Sequence, residues 1–206
     1  MRRFLTIAAI AAALALPTLA FGAQTNIQVG DNFFSPQSPA ARSFQHGTSF
    51  HWQRAAGSGG AHNVFQDAGL FRSGGLTSGP INFSISASAG SFHYYCQLHG
   101  SPAGGMDGVV KVQPIFNAAP SGNPFTVIWA DSATNTGKAF DVRYKVGAGA
   151  WKIWKNDTSQ FQAVFGQNML PVPVMLGTTY QFQVRSEQAS NHTKVSGWSP
   201  ALIVTP

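Results

Sequence analysis

The stretch Tyr94-Tyr95-Cys96-Gln97-Leu98-His99-Gly100-Ser101-Pro102-Ala103-Gly104-Gly105-Met106 holds the single cysteine of the chain, with a histidine at the third position after it and a methionine at the tenth. A thiolate, an imidazole and a thioether on one loop make a mixed, largely soft donor set. Thiolate and thioether favour Cu(I), imidazole accepts either oxidation state, and two histidines with one cysteine and a weak axial methionine suit a one-electron copper site. The loop supplies three of those four donors. His62, in Ala61-His62-Asn63-Val64-Phe65, is the best-placed fourth, because a glycine-rich turn precedes it and an apolar, strand-like segment follows.

Outward from the loop, the first half reads as strands. Thr25-Asn26-Ile27-Gln28-Val29 alternates with period two, and Asp31-Asn32-Phe33-Phe34-Ser35-Pro36 breaks it with turn residues. Gly47-Thr48-Ser49-Phe50-His51-Trp52 is a second strand, with Phe50 and Trp52 on one face and His51 on the other. The same parity sets Phe92, Tyr94 and Cys96 on an inner face, with His93 and Tyr95 outward. Val110 and Val112 repeat the pattern and close the unit near Pro114. No helical period of useful length occurs, so an all-β sandwich is expected. His46, beside Gly47, and His51, His93 and His192 are expected to be exposed surface histidines, since an isolated imidazole without converging partners is seldom a ligand.

These residues resemble a cupredoxin of the plastocyanin, pseudoazurin and halocyanin type. In that family the first ligand sits in a His-Asn dipeptide, and the others lie in a Cys-x-x-His…Met loop between the last two strands. The resemblance implies one type 1 copper per chain, bound by His62, Cys96, His99 and Met106. Asn63 would tie the two ligand segments together. Here six residues separate His99 from Met106, more than in the commonest plastocyanin spacing.

At the start of the chain, Arg2-Arg3, the apolar run Phe4 to Leu16 and the small residues up to Gly22-Ala23 follow the order of a cleavable secretory signal. The run is shorter than the roughly 20 residues a membrane-spanning helix requires. Residues 1–23 are therefore expected to be removed, leaving an exported protein, periplasmic or secreted, that does not span a membrane. In an oxidising compartment a lone thiol is buried, metal-bound or paired with another molecule, and metal ligation accounts for its survival there. Without Arg2 and Arg3 the formal charge falls from +6 to about +4. With 10% charged residues and no Lys/Arg cluster, the chain lacks the electrostatic footprint of a nucleic-acid binder.

After Pro114 the composition changes. Asn117-Ala118-Ala119-Pro120-Ser121-Gly122-Asn123-Pro124 suits a short joint between a domain spanning 24–115 and another spanning 116–206. Strands are expected at Phe125–Trp129, Phe140–Tyr144, Trp151–Trp154, Phe161–Phe165 and Tyr180–Val184. The order of markers resembles a fibronectin type III domain: Trp129 in the second strand, Phe140-Asp141-Val142-Arg143-Tyr144 in the next, and Leu176-Gly177-Thr178-Thr179-Tyr180 as a tyrosine corner. Val184-Arg185-Ser186 and Gly197-Trp198-Ser199-Pro200 fit the last two strands of that pattern. The resemblance implies a spacer or a docking module, since such a sandwich does not itself imply a function. Trp151 and Trp154, with Lys145, Lys152 and Lys155, read either as a contact patch for a protein or polysaccharide surface or, for the tryptophans, as core.

The whole is expected to be a cupredoxin Greek-key sandwich followed by a fibronectin type III sandwich, carrying electrons between redox protein partners rather than acting as an enzyme. The alternative is an exported copper-binding or adhesion protein in which copper is delivered or structural. A multicopper oxidase would need His-x-His pairs, a copper monooxygenase a histidine at the mature N-terminus, and a two-copper centre a second cysteine; the sequence has none of these. Zinc suits the cysteine and histidines but not the thioether.

Overall fold

The computed structural model describes residues 24–44, 48–117, 123–134 and 136–206. The expected signal segment, His46 and most of the expected joint lie outside these residues. Among them the protein is all-β, with one short 3-10 turn at Gln167–Met169.

In the first half, strands β1 (Gln24–Gly30), β2 (Phe33–Ser35), β4 (Ser49–Arg54) and β6 (Asn82–Ser86) form one sheet in the order β2-β1-β4-β6. Strands β3 (Arg42–Ser43), β5 (Phe65–Gln66), β7 (Gly90–Ser101) and β8 (Gly104–Gln113) form a second, in the order β3-β8-β7-β5. Alternation along each strand turns one face inward. Ile27, Val29, Phe50 and Trp52 from the first sheet meet Phe92, Tyr94, Cys96, Val110 and Val112 from the second in one buried cluster. At its centre Trp52 packs edge-on against Tyr94, with ring centroids 5.1 Å apart. The inward parity expected for Phe50, Trp52, Phe92, Tyr94 and Cys96 is the parity observed.

The second half has its own cluster. Strands β9 (Ile115–Asn117), β10 (Phe125–Ile128) and β13 (Gln162–Phe165) form a three-stranded sheet. Strands β11 (Lys138–Val146), β12 (Lys152–Thr158), β14 (Tyr180–Gln188), β15 (Asn191–Val195) and β16 (Leu202–Val204) form a five-stranded one. Phe125, Trp129, Phe140, Phe165, Tyr180 and Phe182 fill the space between them. The Tyr180 hydroxyl donates to the Pro173 carbonyl and accepts from the Met175 N–H, both at 2.9 Å, a phenol anchored to upstream backbone as expected for a tyrosine corner. Gly197–Pro200 falls between β15 and β16 rather than forming a strand, because its backbone bonds to Ser91 and Val184 instead of extending a ladder.

The halves are joined by more than a connecting segment. Strand β9 pairs with β10, and its alternation sends Ile115 against the first cluster and Phe116 against the second. Ser91 and Gly197 exchange both backbone hydrogen bonds, the Ala89 N–H donates to the Trp129 carbonyl at 2.7 Å, and the buried Ser88 and Ser186 hydroxyls lie 2.9 Å apart. A seam of buried, satisfied polar groups of this kind resists sliding, since each group loses its partner on displacement.

Of the histidines expected at the surface, His192 is exposed and His51 is partly so, but the expectation for His93 needs correction. His51 does point away from the core, but its Nδ1 lies 2.7 Å from the Ser84 hydroxyl. His93 is half-buried between two carboxylates, with Nδ1 2.8 Å from Asp67 and Nε2 2.8 Å from Asp107. His192 sits against Asp157 and Glu187. The partners of His93 are 26 and 14 residues away in sequence, so local parity could not reveal them.

His93 bridges the end of β5 to β8 across the outer face of β7. Burial opposes its imidazolium, but the hydrogen bonds to Asp107 and Asp67 outweigh burial and raise its pKa above the usual histidine value. Its contribution to stability is therefore fully present below the unfolded value of about 6.5 and is lost as pH rises through the raised folded value. Melts in chelator across pH 5 to 9 should show the wild-type chain losing stability with rising pH more steeply than His93→Gln. Parallel curves would remove His93 from the pH response.

Candidate metal centre

The hairpin of β7 and β8 makes the site by breaking its own ladder. Pairing runs from Gly90↔Val112 to Tyr95↔Asp107, stops, and resumes at Gly100↔Gly105. Residues 96–99 of one arm therefore face the single residue Met106 of the other, and the excess length bows outward. That bow carries Cys96 and His99 to the end of the sandwich. Two glycines permit the arms to approach: a Cβ on Gly100 would lie 2.5 Å from the Met106 carbonyl oxygen, and one on Gly105, at φ +101°, would lie 2.6 Å from that of His99.

His62 arrives from the loop before β5, held by reciprocal backbone hydrogen bonds with Thr77. Its Nδ1 lies 3.8 Å from Cys96 Sγ and 3.2 Å from His99 Nδ1, and the His99 Nδ1 to Cys96 Sγ distance is 3.6 Å. The centre of the circle through these three atoms is about 2.1 Å from each, close to first-row metal–imidazole and metal–thiolate bond lengths. His62 and Cys96 are fully buried, while His99 keeps an exposed edge. Three lone-pair-bearing atoms facing one another in a buried position are poorly served by hydrogen bonds alone, and a shared cation satisfies all of them at once.

Met106 is 2% exposed and belongs to the same buried cluster as Cys96, opposite the bowed segment. The structure thus brings together His62, Cys96 and His99 through their donor atoms, and in the hairpin register Met106 stands opposite the segment that carries two of them.

Two ties hold the histidine segment to the loop. Asn63, fully buried beside His62, accepts from the Gln97 N–H at 3.0 Å and donates from Nδ2 to Gln97 Oε1 at 2.7 Å. The role expected for Asn63 is thus visible, although the side-chain half of the tie comes from Gln97. The second tie was absent from the sequence reading. Asp31 Oδ1 lies 3.0 Å from His62 Nε2. A carboxylate only accepts, so Nε2 carries a proton, and in the neutral ring Nδ1 then turns its lone pair toward Sγ.

The same Asp31 carboxylate accepts from the Ser58 hydroxyl at 2.7 Å and from the N–H groups of Gly59 and Gly60. His62 first, then Ser58 and those backbone donors, hold its carboxyl well below the usual carboxylate range. A Cβ on Gly60 would lie 2.8 Å from both Asp31 Oδ1 and His62 Nε2, so this glycine makes room for the contact. The only signal in the sequence was an acidic residue in a turn, a common feature on its own.

No protein-family model matches the chain and no curated protein does. A solved structure described as "Cytokine receptor complex - Crystal form 1A" aligns over 70% of this chain and 85% of its own length at 15% identity, with a TM-score of 0.34. A likeness at that level carries no argument about fold or function.

Partners that orient a ligating histidine commonly contribute 10- to 100-fold to metal affinity. Asp31→Ala should therefore weaken metal binding by about 10- to 100-fold in a competition titration against a chelator, with the far-ultraviolet spectrum unchanged. His51→Ala, remote from the centre, serves as the control. Unchanged affinity in Asp31→Ala would assign the carboxylate to the loop alone.

Proposed function

We propose that this chain is an exported copper protein that carries single electrons, with a cupredoxin-like first half and a fibronectin type III-like second half that spaces or docks it. The observation that carries the reading is the triangle of His62 Nδ1, Cys96 Sγ and His99 Nδ1, with sides of 3.2 to 3.8 Å. Met106, buried in the same cluster and opposite the bowed segment in the hairpin register, would add the thioether that suits copper better than zinc.

A copper ion bound there would supply a one-electron couple. The chain's own residues account for the rest. Asp31 and Asn63 fix the imidazole and the loop from outside, so the donors need little rearrangement when the charge at the centre changes. Ile27, Trp52, Tyr94 and Val110 belong to the cluster that encloses Cys96 and keeps water from the thiolate. His99 is the donor residue nearest solvent and the natural port for an electron. Around it, Leu98 is 55% exposed and Ala103 and Gly105 are also exposed, giving a small-sided apolar rim without charge. Such a rim favours brief contact with a redox protein over tight binding.

In the second half the open question about the tryptophans has two answers. Trp154 packs against the core cluster, whereas Trp151 lies outside it beneath Arg143 and Lys145. Arg143 also lies 4.1 Å from the ring centre of Trp198, and Arg185 sits 4.9 Å from the same ring. This stacked face of cations and indoles favours docking over spacing alone.

The copper-loaded protein should be intensely blue and should cycle reversibly, and Cys96→Ser should abolish the colour. A colourless complex, or one that cannot be reduced and reoxidised, would sink electron transfer in favour of copper delivery or a structural ion. Binding to the native state at 100 times the dissociation constant adds about 2.7 kcal/mol. Cys96→Ser should accordingly lower the melting temperature in copper and scarcely alter it in chelator; equal losses in both would assign Cys96 to packing.

A further inference from the structure

A second group of donor atoms converges on the five-stranded sheet of the second half. His192 Nδ1, from β15, lies 3.2 Å from Asp157 Oδ1 of β12 and 3.1 Å from Glu187 Oε1 of β14. All three ligand atoms fall within 4.8 Å of one another.

The contrast with His93 is instructive. His93 spends one ring nitrogen on each of its carboxylates, the arrangement of a satisfied bridge between charges. His192 turns the same nitrogen to both. At best one N–H is shared between the two carboxylates, and although Glu187 Oε1 is ion-paired with that nitrogen, no well-aligned hydrogen bond reaches it among the described residues. The Glu187 side chain is 1% exposed, so this is a buried acceptor aimed into the cluster whose one partner, the His192 ring nitrogen, also serves Asp157.

The surrounding charges do not relieve it. Asp141 is already occupied, accepting from the Asp157 N–H at 3.0 Å and from Arg185 Nε at 2.7 Å. Asp141 and Arg185 cancel, which leaves the two charges of Asp157 and Glu187 facing one imidazole. Burial accordingly pushes the Glu187 carboxyl up, and Glu187 in turn raises the His192 pKa. A doubly charged cation bonded to all three would balance the charge, give Oε1 a bond of its own and use the His192 lone pair.

We propose that Asp157, Glu187 and His192 form a second metal site that takes a first-row divalent cation of the zinc class. Two carboxylates and one imidazole match the nitrogen and oxygen ligands of zinc, and three protein ligands leave a coordination position for water. The set is too poor in oxygen for calcium, which takes six to eight oxygen ligands. Asp157 and His192 keep 44% and 47% of their side chains exposed, so an ion can enter from solvent. The site shares no residue with the Cys96 centre, and its fate does not depend on the reading of that centre.

The test is calorimetric titration of Zn2+ into the full chain carrying Cys96→Ser, which removes the thiolate of the first site. One equivalent should bind, and His192→Ala and Asp157→Asn should each weaken it by at least about 10-fold, the lower end of what even an orienting partner contributes. Both positions are half-exposed, so these variants should fold, and circular dichroism checks that they do. The ring nitrogen resonances of His192 should shift on adding Zn2+. Binding that is unaffected by both substitutions, or that needs millimolar Zn2+, overturns the proposal. So does a His192→Ala chain that loses stability while its Zn2+ binding is unchanged, the signature of an imidazolium held between carboxylates.

Discussion

Between Tyr95 and Gly100 the backbone of β7 gives up its partner, and the first half of the protein depends on that interruption. A continuous ladder would keep Cys96 inside the sandwich as one more core residue in the row of Phe92 and Tyr94. The bow lets its sulfur face two imidazole nitrogens instead. Unpaired backbone is costly when buried, and here the Gln97 N–H is recovered by the Asn63 side chain. That one bond also draws His62 to the loop. Satisfying the interrupted strand and assembling the donor triangle are thus the same event.

The fixed orientation of His62 follows from a second constraint. Its ring is fully buried, so each nitrogen needs a partner, and Asp31 claims Nε2. In the neutral ring the other nitrogen is then an acceptor or a ligand. Asp31 can hold this position because Ser58, Gly59 and Gly60 also donate to it, sharing its charge over several bonds while half of it stays in water. The centre is therefore built from three short loops locked to one another before any ion arrives, the pre-organisation that metal sites require.

The seam ties the two halves of the protein together through backbone and buried side-chain contacts. Ile115 and Phe116 enter different cores from consecutive positions, and Ser88, Ala89 and Ser91 bond to residues of the second half. The Ser91 to Gly197 exchange lies next to Trp198, so the stacked Arg143, Arg185 and Trp198 face is connected to β7, the strand that also carries Cys96 and His99. A partner engaged by that face would stand on the same connected strand as the Cys96–His99 segment.

Much of this was legible in the sequence, because period-two alternation is local and a face is decided by parity. That reasoning placed Phe50, Trp52, Phe92, Tyr94 and Cys96 inward, put His51 on the opposite side, and found no helix. The spacing of Cys96, His99 and Met106 identified a donor set on one loop, and His62-Asn63 its complement. Parity could not say what stands opposite an outward residue. His93 with Asp67 and Asp107, Asp31 with His62, and His192 with Asp157 are pairs far apart in sequence, and Glu187 meets His192 across the β14–β15 hairpin. Trp151 and Trp154, three positions apart, fall on opposite faces of an extended chain, and only the packing shows that the Trp154 face is the one against the core. What the sequence alone determined is which residue types lie on which face of each strand, and hence the donors available. Only the tertiary structure decided which of them meet, because charge pairing and ligation act over a few ångströms in space and leave no periodic trace along the chain.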